Sequence, residues 1–258
     1  MMSRKEVESA AGQQQSGNNI DQYRRNFVGG SIVAVAGLSL APGLILNTVQ
    51  AKPDDQAVTS KNRWGLLIDT ARCSEGCSDC VTACNTEHGL KPMHGEKTDA
   101  QWIRHVTLKN KQTGHQIDMP MMCQHCEYPP CVDVCPTGAS FKREDGIVLV
   151  DKHICIGCRY CMMACPYKAR SLVHEVHHDQ IPTAPRGKGT VESCTLCVHK
   201  VDRGDGTTAC AEACTSGAIL FGDLNDSNSE ISQRLATEGG RQLRSELSLN
   251  TGVRYQGL

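Results

Sequence analysis

Aromatic side chains are scarce: three Phe, two Trp and five Tyr in 258 residues, 4% of the chain. A core of ordinary composition would hold more of them. An excess of either charge is also missing. Lys+Arg 27 against Asp+Glu 28 leaves a formal charge of −1, which excludes the basic surface of a nucleic-acid binder. Mean hydropathy is −0.36, so a polytopic membrane protein is excluded, and collagen and coiled-coil compositions are absent. No G-x-G-x-x-G turn, activated nucleophile or carboxylate pair stands out. The length fits one or two domains.

Cysteine is what the chain has in excess, sixteen of them. All lie between Cys73 and Cys214 and divide into four quartets with none left over. These are Cys73-x3-Cys77-x2-Cys80-x3-Cys84, Cys123-x2-Cys126-x4-Cys131-x3-Cys135, Cys155-x2-Cys158-x2-Cys161-x3-Cys165 and Cys194-x2-Cys197-x12-Cys210-x3-Cys214. The third, followed by Pro166, has the C-x2-C-x2-C-x3-C-P spacing of bacterial ferredoxins. Three thiolates on one tight loop can each reach a different iron of a [4Fe–4S] cube. The fourth is expected at the start of a helix, turned away and free to ligate a neighbouring cube.

The surroundings repeat as well. Trp64–Asp69 precedes Cys73 at the offset at which Gly146–Asp151 precedes Cys155, and each reads as a short strand delivering the chain to a cluster loop. Pro136-Thr137-Gly138-Ala139 and Thr215-Ser216-Gly217-Ala218 follow the fourth cysteines as turns into the next strand. Three other readings of the thiols stand beside four [4Fe–4S] clusters. One is a disulfide framework, one is four tetrahedral zinc sites, and one is a mixed set with one quartet holding [3Fe–4S] or zinc. The crowded C-x2-C-x2-C loops favour cubes. Inorganic cubes would also occupy volume that the missing aromatics leave.

The N-terminal fifty residues read as an address. A polar stretch over 1–22 is followed by Tyr23-Arg24-Arg25-Asn26-Phe27 and by an apolar segment diluted with glycine and Pro42, ending at Val49-Gln50-Ala51. Residues 1–51 resemble a twin-arginine export signal, with an uncleaved membrane anchor as the other reading. The segment holds 4 of the 27 basic and 3 of the 28 acidic residues, so the body over 52–258 carries 23 against 25, or −2. Export in the folded state suits clusters that are assembled in a reducing compartment.

From Trp64 onward the chain resembles the four-cluster ferredoxin-type electron-transfer subunits of membrane-bound oxidoreductases. Cys123-Gln124-His125-Cys126-Glu127-Tyr128-Pro129-Pro130-Cys131 with Cys135-Pro136-Thr137-Gly138-Ala139 carries the likeness, together with Asn228–Ser232 opening a helix and Val253-Arg254-Tyr255 in a C-terminal wrap over 222–258. The signal and the Arg63–Arg72 opening are most similar to the exported iron–sulfur subunit of the membrane complex associated with dissimilatory sulfite reductase (DsrO-like). The resemblance implies an α+β fold of two bacterial-ferredoxin-like units with short strands, short helices and long irregular loops around four clusters. It also implies ligands crossed between quartets: Cys73, Cys77, Cys80 with Cys214; Cys194, Cys197, Cys210 with Cys84; Cys123, Cys126, Cys131 with Cys165; Cys155, Cys158, Cys161 with Cys135. One unit then comes from quartets 73–84 and 194–214, the other from 123–135 and 155–165. The departure is Cys73-Ser74-Glu75-Gly76-Cys77, one residue longer than usual, which Gly76 can absorb in a turn.

What is implied functionally is a relay with no catalytic residue or small-molecule substrate of its own. It would pass electrons between a quinone-interacting membrane subunit of the NrfD type and other redox subunits of a respiratory or sulfur-metabolism complex, including a multihaem cytochrome, on the periplasmic face. A free-standing periplasmic carrier and a zinc-stabilised binding module are the competing functions. Arg72, Arg159, Lys168 and Arg170 beside the quartets either offset cluster charge or are solvated surface. His174-Glu175-Val176-His177-His178 satisfies H-E-x-x-H, but its surroundings read as strand or exposed loop rather than the helix that a zinc protease needs. No C-x-x-C-H occurs to attach haem.

Overall fold

The computed structural model describes residues 58–95 and 98–258, within one compact unit, Lys52–Leu258. The export signal lies outside the described residues. Among the described residues, nine strands, six α-helices and two 3-10 turns follow in order.

The apolar run Trp64–Asp69 is β1, buried along its middle four residues. That burial on both faces follows from its central place in a three-stranded sheet. Ile219–Asp223 (β8) pairs with it antiparallel, Trp64 opposite Asp223, and Val253–Gln256 (β9) pairs parallel, Leu66 opposite Val253. Gly65 is required there, because a Cβ would overlap the carbonyl of Gly252 and the side chain of Leu224. Ile103–Lys109 (β2) and Gln116–Met122 (β3) form a hairpin from Ile103↔Met122 to Lys109↔Gln116, buried at its base and exposed at its tip. Ser140–Lys142 (β4) pairs antiparallel with Val148–Val150 (β5), and Ser171–Leu172 (β6) with Val191–Glu192 (β7).

The helices are short. Asp79–Glu87 (α1), Pro130–Asp133 (α2), Tyr160–Ala164 (α3) and Ala209–Glu212 (α5) each contain the third cysteine of a quartet, while Val198–Arg203 (α4) follows Cys197. Glu230–Glu238 (α6) begins where Asn228–Ser232 foretold it, and the Ser229 hydroxyl accepts the Ser232 N–H at 3.3 Å as an N-cap. Expectation and structure differ at the fourth cysteine. It does not start a helix: in three quartets the helix starts just before the third cysteine and ends before the fourth, and in the first both Cys80 and Cys84 lie inside α1.

The few aromatics are concentrated at contacts. Trp64 stacks on Phe221 with centroids 5.3 Å apart, and Trp102 lies 4.4 Å from the His88 ring. Around them the core mixes Leu66, Ile68, Met119, Met122, Ile147 and Tyr255 with cysteines, among them Cys80, Cys84, Cys123, Cys126, Cys165, Cys194 and Cys210. Cys131 and Cys161 join Val148 and Val191 in a second apolar cluster.

Candidate metal centres

All sixteen cysteines are free thiols, so no disulfide framework forms. Among the described residues no three Cys, His, Asp or Glu side chains converge tightly enough to hold a single metal ion. Four thiolates on zinc would crowd to about 3.8 Å apart, given Zn–S bonds of about 2.3 Å in a tetrahedron. Here the thiols stand around spaces. Cys135, Cys155, Cys158 and Cys161 line one small shared cavity together with Ala139, Val150 and Val191. A donor set of separated thiolates around a void fits a cube between them, and it joins the fourth cysteine of the second quartet to the first three of the third.

Electrostatic neighbours of the other thiols run both within and between the quartets. Burial, and then Cys77 and Cys214, raise the Cys73 pKa. Burial pushes Cys80 to about 12, with Cys210, Cys73 and Cys214 adding to the rise. Cys84 is raised by burial and then by Cys210, Cys197 and Cys80, and Cys194 by burial and then by Cys84, Cys210 and Cys197. Burial takes Cys123 to about 12, where the neighbouring thiols Cys131 and Cys165 also act. The same neighbours with Cys123 act on Cys126. Cys131 feels both Cys165 and Cys161. Cys80 and Cys84 lie four residues apart on α1, and the pairs Cys131/Cys135, Cys161/Cys165 and Cys210/Cys214 keep that spacing with the second cysteine just past α2, α3 and α5.

Exposure separates the groups. Every cysteine of Cys84/Cys194/Cys197/Cys210 and of Cys123/Cys126/Cys131/Cys165 is buried. In Cys73/Cys77/Cys80/Cys214 and Cys135/Cys155/Cys158/Cys161, three of the four reach partial exposure.

Hydrogen bonds to sulfur recur at corresponding places. The Ser140 N–H donates to Cys135 Sγ at 3.4 Å and the Ala218 N–H to Cys214 Sγ at 3.3 Å. Thr137 and Ser216, each two residues past the cysteine, place hydroxyls 3.7 and 3.5 Å from those sulfurs. Gly138 and Gly217 take φ of +69 and +63 to close the two turns, which is why each motif has glycine there. Burial raises the Cys135 pKa, yet the hydrogen bonds from Ser140 and Thr137 outweigh it and leave the thiol below its usual value. Val191 N donates to Cys155 Sγ at 3.4 Å, Leu196 N to Cys194 Sγ at 3.4 Å and Ala209 N to Cys197 Sγ at 3.5 Å. Such N–H···S contacts stabilise thiolate charge and set cluster potential. In the lengthened gap of the first quartet, the Cys77 N–H closes a turn on Ser74 O at 3.1 Å and Gly76 sits at φ +72.

Of the four bases beside the quartets, Arg72, Arg159 and Lys168 are exposed, and Arg170 alone is buried. His88 escaped sequence reading. It is 2% exposed, packed against Trp102 with the rings tilted by 37°, with Nε2 3.6 Å from Cys197 Sγ, and nothing in its position four residues past Cys84 marked it. The His174–His178 segment lies beyond β6 in no helix, with His174 and His178 exposed.

Comparison with known proteins places the chain among iron–sulfur proteins. Residues 115–224 match the 4Fe-4S dicluster domain family. The chain is 38% identical over 267 residues to the Hdr-like menaquinol oxidoreductase iron-sulfur subunit 1 of Archaeoglobus fulgidus, covering 91% of this chain and 98% of that protein. It is 36% identical to a tetrathionate reductase subunit of Salmonella typhimurium, covering 94% and 91%, and 34% identical to the protein NrfC of Escherichia coli, covering 82% and 85%. The thiols hold [4Fe–4S] clusters, and the chain belongs to the family of iron–sulfur electron-transfer subunits of membrane oxidoreductases.

Proposed function

We propose that the protein is a four-cluster wire with its two surface-reaching clusters at the ends and its two buried clusters between. The observation that carries this is the exposure pattern, in which two thiol groups are wholly buried and two are partly open. Electrons can enter and leave at the open groups, while burial insulates the inner pair from solvent and oxidants.

The crossed ligand sets expected from the family are supported by the shared cavity of Cys135 with Cys155, Cys158 and Cys161, and by the mutual influence of Cys84 with Cys194, Cys197 and Cys210. The same holds for Cys165 beside Cys123, Cys126 and Cys131, and for Cys214 beside Cys73 and Cys80. Two ferredoxin-like units follow: β1 and β8 flank one pair of sets, β4 and β5 the other. A cluster so held exchanges one electron without bond breaking or proton delivery. What the chain supplies is ligation, N–H···S bonds and exclusion of water.

The partners we infer are a quinone-interacting integral membrane subunit of the NrfD type and further redox subunits, in line with the menaquinol and tetrathionate enzymes to which relatives belong by name. Among the described residues no helix is long and apolar enough to cross a membrane. Twin-arginine export and a periplasmic, membrane-associated location, in a sulfur-metabolism complex, complete the reading. Purification from detergent-solubilised membranes tests it: co-elution with an integral membrane subunit is expected. Quantitative recovery in the soluble periplasmic fraction would instead establish a diffusing carrier.

A further inference from the structure

Arg170 is buried to 5% exposure, and its three guanidinium nitrogens find no oxygen acceptor among the described residues, leaving the Cys131 and Cys161 thiols as their polar neighbours. A cation so placed is costly unless negative charge surrounds it. The negative groups that act on it are thiols of both middle quartets, Cys131 and Cys123 from one and Cys161 from the other. The turn that delivers it is built for the purpose. Lys168 takes φ +51 and donates its N–H to Cys165 O at 3.2 Å, and the Tyr167 carbonyl accepts Arg104 Nη2 at 2.9 Å. His125 is the other buried base in this region. Its Nδ1 accepts the Val148 N–H at 3.1 Å.

We propose that Arg170 is a positioning cation of the electron path, shared by the cluster of Cys123, Cys126, Cys131 and Cys165 and the cluster of Cys155, Cys158, Cys161 and Cys135, and that it raises the reduction potentials of both. The proposal rests on the crossed ligand reading above. A reduced cube bears one more negative charge than an oxidised one, so a fixed cation in a low-dielectric interior stabilises the reduced form. Because thiols of both sets act on the guanidinium, it moves both potentials in one direction and keeps neighbouring steps of the wire matched. The thiols in turn hold the Arg170 charge against the burial that opposes it.

The test is potentiometric titration, followed by electron paramagnetic resonance, of the native protein beside the variants Arg170→Lys and Arg170→Gln, with iron and sulfide counted in each sample. Arg170→Gln is expected to shift two of the four potentials downward by the equivalent of at least tenfold in the reduction equilibrium, which is about 59 mV for one electron, leaving the other two in place. Arg170→Lys is expected to keep all four near their native values. If Arg170→Gln loses two clusters while Arg170→Lys keeps all four, the cation is needed to hold the pair rather than to set its potentials, and the proposal is overturned. Full iron with four unchanged potentials in Arg170→Gln overturns it, as does iron loss in both variants, which would make the guanidinium a packing element. An iron count far below four cubes in the native protein would sink the ligand reading itself, a separate outcome.

Discussion

At the scale of single residues, two glycines in cluster loops look alike in sequence and differ in structure. Gly76 takes φ +72 with nothing near its missing Cβ, whereas Gly157 takes φ +66 and a Cβ there would overlap the Gly189 carbonyl. Gly76→Ala is expected to cost about 1–2 kcal/mol through left-handed strain alone and to keep its full iron. Gly157→Ala must push apart the Cys155–Cys158 loop and the segment leading to Val191, whose N–H serves Cys155 Sγ. Iron in that variant should fall by about four atoms per chain, the content of one cube; a full complement would show that the loop yields. The role of Gly76 was legible, because it sits in the one gap that departs from the family spacing. That of Gly157 was not, because its steric partner lies at Gly189, in a distant stretch without motif. Arg170 and Lys168 were equivalent neighbours of Cys165 in sequence, and the left-handed turn at Lys168 sends one to solvent and the other inward.

At the scale of elements, strength concentrates where buried polar groups are paired. Arg186 and Glu192, 7% and 0% exposed along their side chains, meet at 2.7 Å and 3.1 Å and tie β7 to the loop before it. Glu192→Ala leaves a buried guanidinium uncompensated, for an expected loss of about 3–5 kcal/mol by denaturant titration. Ser229→Ala removes one N-cap bond from α6, worth about 1 kcal/mol and a lowering of Tm by about 2–4 °C; an unchanged melting curve would mean the cap adds nothing. The strand β1 and the helix α6 were readable, since an apolar run and a capping serine are local signals. The parallel docking of β9 on β1 was not, for it joins residues 187 apart such as Leu66 and Val253. The hairpin of β2 and β3 was hidden by Pro120, which is tolerated because each of its strands has an open edge. The placement of the helices at the third rather than the fourth cysteine was lost for a related reason: spacing reports which thiols share a loop, not where the helical turn begins.

At the scale of the whole molecule, the thiols belong to the core, so metal and fold stand or fall together. Cysteines of all four groups pack among Leu66, Trp102, Ile147 and Tyr255 or in the smaller cluster around Val148. Burial raises the pKa of buried thiols such as Cys84, Cys123 and Cys194, and iron binding must displace the protons they hold. Removing iron with chelator and oxidant is expected to abolish the cooperative melt and expose amides of β1 and β9 to hydrogen exchange; a stable apo fold would show the core is sufficient without clusters. Quartet spacing disclosed the number and kind of centre, but spacing is silent on which fourth thiol crosses to which loop. Resemblance supplied that, and the neighbourhoods in the structure support it. Cys165→Ser and Cys126→Ser are accordingly expected to abolish the same paramagnetic signal, and Cys161→Ser a different one.

The measurement that bears most directly on the whole account is the quantitative determination of iron, acid-labile sulfide and zinc in the protein isolated from its own membranes. Four cubes require about sixteen iron and sixteen sulfide per chain, four of each in every cube, with negligible zinc. A preparation at full occupancy that returned far less iron, or zinc in its place, would contradict it.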